Sequence, residues 1–236
     1  LDLAHGPLVR AVFITYPDKR QNLLLVMHHL VVDGVSWRIL LEDFEQAYQQ
    51  IAGGVSPQLP AVMQSFRQHA QALNDFAGHA ALVEQAGYWH TVTAGAMPGF
   101  PPDAPDAAAC TRDAAEIALR IDSKRTRMFL EEASQAYRTR ADELLLAALA
   151  RTAAAYRGAE AMIVEVESHG RSPLPQQSGE VDLSRTVGWF TVIYPLRLTF
   201  ADDLGDCIRD VKQAMRSVPH EGLGYGDRKS TRLNSS

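Results

Sequence analysis

Two adjacent histidines, His28 and His29, are the first residues whose types and spacing could perform chemistry. They end an apolar run, and Asp33 follows beside a glycine. An imidazole at a strand end can project into a cleft, and its ordinary pKa near neutrality suits proton transfer. Asp33 could orient a histidine ring or pair with an arginine. On spacing alone, two packed core histidines followed by an Asp-Gly turn remain an equally open interpretation. A zinc site would need a third ligand at a recognisable spacing, so we expect no metal.

The second candidate is the acidic stretch over residues 165–171, which reads EVESHGR. On a strand, Glu165 and Glu167 share one face. Two carboxylates on one face are costly unless they face water or a functional cleft. An exposed strand face that leads into a charged turn is therefore one interpretation. The other is a carboxylate that faces a histidine of the first segment and forms a proton-transfer pair across a subdomain interface.

Two further motifs carry less chemistry on their own. Residues 185–195 (RTVGWFTVIYP) predict a buried strand with aromatic neighbours. Residues 219–226 (PHEGLGYG) hold three glycines in eight positions. A phosphate-binding loop would need a strand before it and a helix after it. A helix is predicted before it instead, so this interpretation is excluded.

The segments that must position these residues alternate between two hydrophobic patterns. Some have the apolar runs or alternation typical of strands, and others have the three- and four-residue spacing typical of helices. The second strand is nearly all apolar, as expected for a strand buried on both faces. Pro and Gly are concentrated over residues 95–109, where we place a linker between two halves of mixed α/β construction. The predicted strands are 8–16, 22–28, 114–121, 162–167 and 190–200, and the predicted helices are 36–53, 60–76, 80–92, 123–137, 142–156 and 204–218.

Composition excludes several classes of protein. The net charge of -5, with scattered basic residues, argues against a nucleic-acid partner. No apolar run is long enough to span a bilayer. The first residues do not show the pattern of a secretory signal, so we expect none. Two cysteines are too few for a disulfide framework, so a reducing, cytoplasmic location is expected. Residue 1 is Leu, which indicates a fragment.

Taken in order, five motifs resemble the epimerization domains of nonribosomal peptide synthetases, which are members of the condensation-domain superfamily. The resemblance covers about residues 1–226. The motifs are HHLVVDGVSW (28–37), DELLLAA (142–148), ESHGRS (167–172), RTVGWFTVIYP (185–195) and PHEGLGYG (219–226).

The resemblance implies an α/β fold of two chloramphenicol-acetyltransferase-like subdomains that form a V-shaped pseudo-dimer, incomplete at both termini. Residues 1–112 would belong to the N-terminal subdomain and linker, and 113–226 to the C-terminal subdomain. Residues 227–236 are predicted to be a foreign, disordered tail. The implied substrate is an aminoacyl or peptidyl thioester on the phosphopantetheine arm of a carrier domain. Partners would be that carrier and neighbouring synthetase domains in secondary metabolism, with no bound cofactor.

The resemblance also assigns roles to residues. His29 and Glu167 match the catalytic positions, and Asp33 is structural, holding the histidine loop through an arginine. Three supporting residues complete the expected site: His28, which packs, Arg171, which sets the charge near Glu167, and Tyr225.

The same resemblance leaves alternatives and departures. A peptide-forming condensation domain shares the HHxxxDG motif, and a non-catalytic platform for carrier docking is the third hypothesis. Peptide-forming members generally lack the Glu-x-His-Gly-Arg string. The family has Gly and Glu where this chain has Ser168 and Ser172. The opening PIQxWF and closing FNYLG motifs are absent. We therefore expect the fragment alone to be inactive and poorly stable.

Overall fold

The computed structural model describes residues 1–95, 110–155, 160–174 and 181–226. These residues form two compact units. The first unit comprises Leu1–Val83, Glu167–Val192 and the chain from His220 onward, and the second comprises Glu84–Val166 and Ile193–Pro219. The predicted linker lies outside the described residues apart from Gly95, so the predicted division at residue 112 stays a prediction. The predicted tail, 227–236, also lies outside them.

The first unit begins with an antiparallel hairpin of β1 (Val9–Thr15) and β2 (Gln21–Met27). Both predicted strands are confirmed. The prediction that β2 is buried on both faces is wrong, because Leu24 and Val26 are 48% and 40% exposed. An apolar run indicates burial only where another layer covers it, and within the described residues this sheet has two strands.

Two helices follow in the first unit, and a polar side chain caps the start of each. A short 3-10 turn, His29–Val31, leads into α1 (Gly34–Ala52), whose N-cap is Asp33. Helix α2 (Phe66–Ala77) starts later than predicted because Ser65 and Gln68 form a capping box there. The core of this unit contains Phe76, Leu82, Leu174 and Leu223.

The second unit is mainly helical. Helix α3 (Ala80–Thr93) begins in the first unit and continues in the second. The second unit also contains α4 (Ser123–Arg127), a π-helical stretch (Met128–Ala133), α5 (Ser134–Tyr137), α6 (Ala141–Ala154) and α7 (Leu204–Arg216). It holds most of β3 (Ala161–Ser168) and β4 (Val192–Thr199), but the last two residues of β3 and the first residue of β4 belong to the first unit. β3 and β4 pair in a two-stranded sheet. α6 packs against α7, and the buried face of α7 presents Cys207 and Val211.

The predicted strand at 114–121 is absent from the structure. These residues are described but form no regular element, and Ile117 and Leu119 are 91% and 92% exposed. Alternating apolar residues make a strand only when a partner strand accepts their backbone hydrogen bonds. Within the described residues, this segment pairs with no strand. No helix in the described part of the chain is long and apolar enough to cross a membrane.

Candidate active site

A buried ion pair joins two motifs that are 138 positions apart. Arg171 Nη2 donates to Asp33 Oδ1 and Oδ2 at 3.0 and 3.1 Å. The side chains of Arg171 and Asp33 are 8% and 4% exposed. Asp33 also accepts from the backbone N–H of Ser36 at 2.7 Å and from that of Phe190 at 3.1 Å. Each carboxylate oxygen therefore has two partners, as a buried charge requires.

The same arginine holds a third motif in place. Its Nη1 donates to the carbonyl oxygens of Leu183 and Thr186, at 2.9 and 2.7 Å. Its guanidinium also lies over the Phe190 ring, 4.0 Å from the centroid, in a cation–π contact. Arg171 thus ties the HHLVVDG segment, the ESHGRS turn and the RTVGWFT segment together. The structure thus pairs Arg171, one of the predicted supporting residues, with Asp33.

Ser36 adds a second link between the first and third of these motifs. Its Oγ donates to the carbonyl oxygen of Gly188 at 2.9 Å, and the N–H of Gly188 donates back to Oγ at 3.1 Å. Ser36 is fully buried. The backbone around Gly188 therefore has little freedom to move relative to the start of α1.

His29 lies on the short turn that this network supports. Its side chain is exposed, and its ring lies 5.8 Å from the ring of Trp189 at an angle of 57°. Trp189 is itself 40% exposed, so the imidazole lies beside an indole while both residues stay open to solvent. His28 differs, because its Nδ1 accepts from the N–H of Leu30 at 3.1 Å and caps the 3-10 turn.

Glu167 lies near the end of β3 and is exposed, as is Glu165 two residues earlier. The turn that follows Glu167 approaches Phe190 closely. A Cβ atom at Gly170, where φ is +62°, would lie 1.7 Å from the Phe190 carbonyl oxygen. Glu167 and His29 thus belong to segments that contact two consecutive residues, Phe190 and Trp189. That their side chains face each other across one cleft stays a prediction, as does the role of Tyr225, which is partly buried in the same unit.

Sequence reasoning missed His69, which is 1% exposed and lies 4.9 Å from the Phe190 ring. Burial lowers the pKa of His69, and the positive charge of Arg171 lowers it further. The signal was present in the spacing of Phe66, His69, Leu73 and Phe76, which places the histidine on the buried face of α2.

We expect acid to destabilise the first unit in two separate pH windows. The pKa of His69 lies below its ordinary 6.5 in the folded protein. The unfolded chain therefore binds its proton first, and the free energy of unfolding falls as pH drops below about 6.5. Burial alone would raise the pKa of Asp33, but hydrogen bonds from Ser36 and Phe190 and the charge of Arg171 hold it below the ordinary 3.8. The contribution of Asp33 to the free energy of unfolding is therefore present above pH 3.8 and is lost as the pH falls below that value.

Thermal unfolding of the full-length protein between pH 8 and pH 3 measures both windows. His69→Phe, which removes the titrating group but keeps an aromatic ring against Phe190, should abolish the first window and leave the second. An unchanged first window in this variant would contradict the assignment to His69.

Replacing Gly170 by alanine should reduce stability by about 1–3 kcal/mol, the range typical of overpacking. The added methyl would overlap the Phe190 carbonyl, and the positive φ is unfavourable for any residue with a Cβ. Chemical denaturation measures the effect. Gly78→Ala is the matched control, because φ is -88° there and no atom lies within 4 Å of the added Cβ. Equal stabilities of the two variants would contradict the close approach.

No group of three or more His, Cys, Asp or Glu side chains that could hold a metal ion is found among the described residues. The chemistry available at this site is that of an exposed imidazole and an exposed carboxylate, on segments held by a buried ion pair in which both carboxylate oxygens of Asp33 and both terminal nitrogens of Arg171 are hydrogen-bonded.

The sequence of the chain matches a known family. Residues 1–234 match the condensation-domain family, and the chain therefore belongs to it. A linear gramicidin synthase protein of Brevibacillus parabrevis is 40% identical over 231 residues, which is 96% of this chain and 3% of that protein. The chain thus spans only a small part of the length of that relative.

Two solved structures have a fold similar to that of this chain. The epimerization domain from the third module of tyrocidine synthetase B matches with a TM-score of 0.82 and 33% identity, over 96% of this chain and 52% of that one. The first condensation domain of the calcium-dependent antibiotic synthetase matches with a TM-score of 0.65 and 20% identity, over 89% and 44%. The second match shows the fold alone. The predicted α/β fold is confirmed, and the chain spans about half the length of these structures.

Proposed function

We propose that the protein containing this chain epimerizes the α-carbon of an aminoacyl or peptidyl thioester carried on the phosphopantetheine arm of a carrier domain. One observation carries the proposal: His29 and the turn after Glu167 border the consecutive residues Trp189 and Phe190. The 33% identity to an epimerization domain supports the same reaction. The carrier and neighbouring synthetase domains are the partners, and the location is cytoplasmic.

The chemistry of the substrate explains why two groups are needed. A thioester acidifies its α-hydrogen, but the carbon acid remains much weaker than an imidazolium or a carboxylic acid. The site must therefore stabilise the enolate as well as remove the proton. Inversion further requires that a proton leave one face and return on the other. An imidazole and a carboxylate on opposite sides of the α-carbon can do this with no bound cofactor.

The ion pair of Asp33 with Arg171 has a supporting role in this proposal. Arg171 is four residues beyond Glu167, and Asp33 is four residues beyond His29. Their contact at 3.0 Å therefore joins the two chain segments that carry the proposed acid and base. Because positioning errors of about 1 Å can cost 100-fold in rate, a buried and multiply bonded pair suits this task.

Product analysis with a loaded carrier tests the proposal. The full-length protein is given a carrier that bears an L-aminoacyl thioester, together with a second loaded carrier as acceptor, and the hydrolysed products are separated by chirality and length. The D isomer without a longer chain supports epimerization. A longer chain shows a condensation domain, and unchanged L substrate shows a platform that only docks carriers. Either of the last two results would contradict the proposal.

A further inference from the structure

Glu221, in the loop at 219–226, contacts the end of β3 and the turn that follows Glu167. Ser168 Oγ donates to the backbone carbonyl of Glu221 at 2.9 Å, and Ser172 Oγ donates to Glu221 Oε2 at 2.5 Å. His169 Nε2 lies 3.8 Å from the same carboxylate oxygen. Ser168 thus contacts the main chain of Glu221, and His169 and Ser172 contact its side chain.

The backbone of Glu221 has a conformation that its surroundings must maintain. His220 and Glu221 have φ values of 46° and 53°, in the left-handed region that residues with a Cβ rarely adopt. Such conformations persist where neighbouring contacts fix them, and they are concentrated at functional sites. Here the left-handed turn directs the carbonyl and the carboxylate of Glu221 toward Ser168 and Ser172.

The far side of the loop is anchored in the core of the first unit. Leu223 is 1% exposed and packs with Phe76 and Leu82. A Cβ atom at Gly224 would lie 2.2 Å from Leu82 Cδ1, and φ is +91° there. The loop therefore provides a fixed base, and Glu221 extends from that base to the turn.

Ser168 and Ser172 are the two serines around this turn that contact Glu221. Both hydroxyls donate to Glu221 in this chain. A glutamate at position 172 would place a second carboxylate next to that of Glu221. Two negative charges in direct contact repel each other.

We propose that Glu221 is a positioning residue that holds Glu167 at the reacting centre through Ser168 and Ser172. The inference rests on the proposed function. Ser168 directly follows Glu167, so its bond to Glu221 limits how far the end of β3 can move. The contacts are partly exposed, so each alone contributes modestly, and their combined loss should matter more than either loss.

A charge-rescue experiment in the full-length protein tests this role. Ser172→Glu should lower kcat for α-proton exchange about tenfold while the KM for the loaded carrier stays within about twofold. Glu221→Gln alone should lower kcat by less, because an amide oxygen still accepts from Ser172. The double variant should recover most of the activity, because the amide introduced at position 221 can donate to the carboxylate introduced at position 172. Ser56→Glu, on an exposed loop of the same unit, is the control and should behave as wild type.

A second measurement reads the contact without relying on activity. Ser172→Ala should speed amide hydrogen exchange of the peptide over residues 168–172, and Glu221→Ala should do the same without an additive effect in the double variant. Additive effects, or none, would overturn the contact.

The two proposals fail in different ways. Wild-type protein with no α-proton exchange would overturn the proposed function and the positioning role together. Active wild type with a Ser172→Glu variant of normal kcat, or a double variant as impaired as Ser172→Glu, would overturn the positioning role alone.

Discussion

Replacing His29 by alanine should lower the rate of α-proton exchange in the full-length protein by at least about 100-fold, the smaller end of what a general acid or base contributes. The imidazole is exposed on a short turn, and it lies beside the ring of Trp189. The imidazole is therefore open to a substrate, as a group that transfers a proton to or from it must be.

The loss should be chemical and not structural. Because His29 is exposed and Asp33 with Arg171 holds the segment independently of it, the alanine variant should unfold within about 0.5 kcal/mol of wild type. His90→Ala, an exposed histidine on α3, should exchange normally. Near-normal exchange by His29→Ala in both the L-to-D and D-to-L directions would exclude the histidine as an acid or base.

Replacing Glu167 by glutamine should lower the rate of α-proton exchange by a similar factor, because an amide of nearly the same shape cannot accept or return the α-proton. The strand supplies its own control. Glu165 is also exposed and lies two residues earlier on the same face of β3, so Glu165→Gln makes the same change in charge and shape. Only the change at Glu167 should abolish exchange.

The comparison of these two glutamates separates a local role from a general field effect. Equal losses would show that the acidic strand face acts through its charge alone. A normal rate for Glu167→Gln with a large loss for Glu165→Gln would show that the other carboxylate reacts, and would contradict the assignment.

Hydrophobic periodicity predicted most of the elements that carry the site, because the relevant helices and strands have strong patterns and clear ends. Helix α1 and the strands β1 and β2 are examples. Periodicity failed where an element depends on a partner. Residues 114–121 alternate like a strand but have no pairing strand among the described residues, and β2 is apolar but exposed.

The contacts of the site could be predicted only in part. The resemblance implied that an arginine holds Asp33, but local sequence does not identify which arginine, since Arg171 is 138 positions away. His69 was accessible from spacing on α2, but its contact with Phe190 depends on tertiary packing. The bonds from Ser168 and Ser172 to Glu221 depend on a left-handed turn at two residues with a Cβ, which sequence rules disfavour.

Incorporation of solvent deuterium at the α-carbon of a carrier-bound aminoacyl thioester is the most direct test of the central claim, because it reports removal of the proton itself. The full-length protein is incubated in D₂O with the L thioester and, separately, with the D thioester. We predict that deuterium enters the α-position from either start, that both isomers appear, and that no chain growth occurs. Inversion that retains the original α-hydrogen, or a thioester that keeps both its hydrogen and its configuration, would contradict proton transfer by His29 and Glu167.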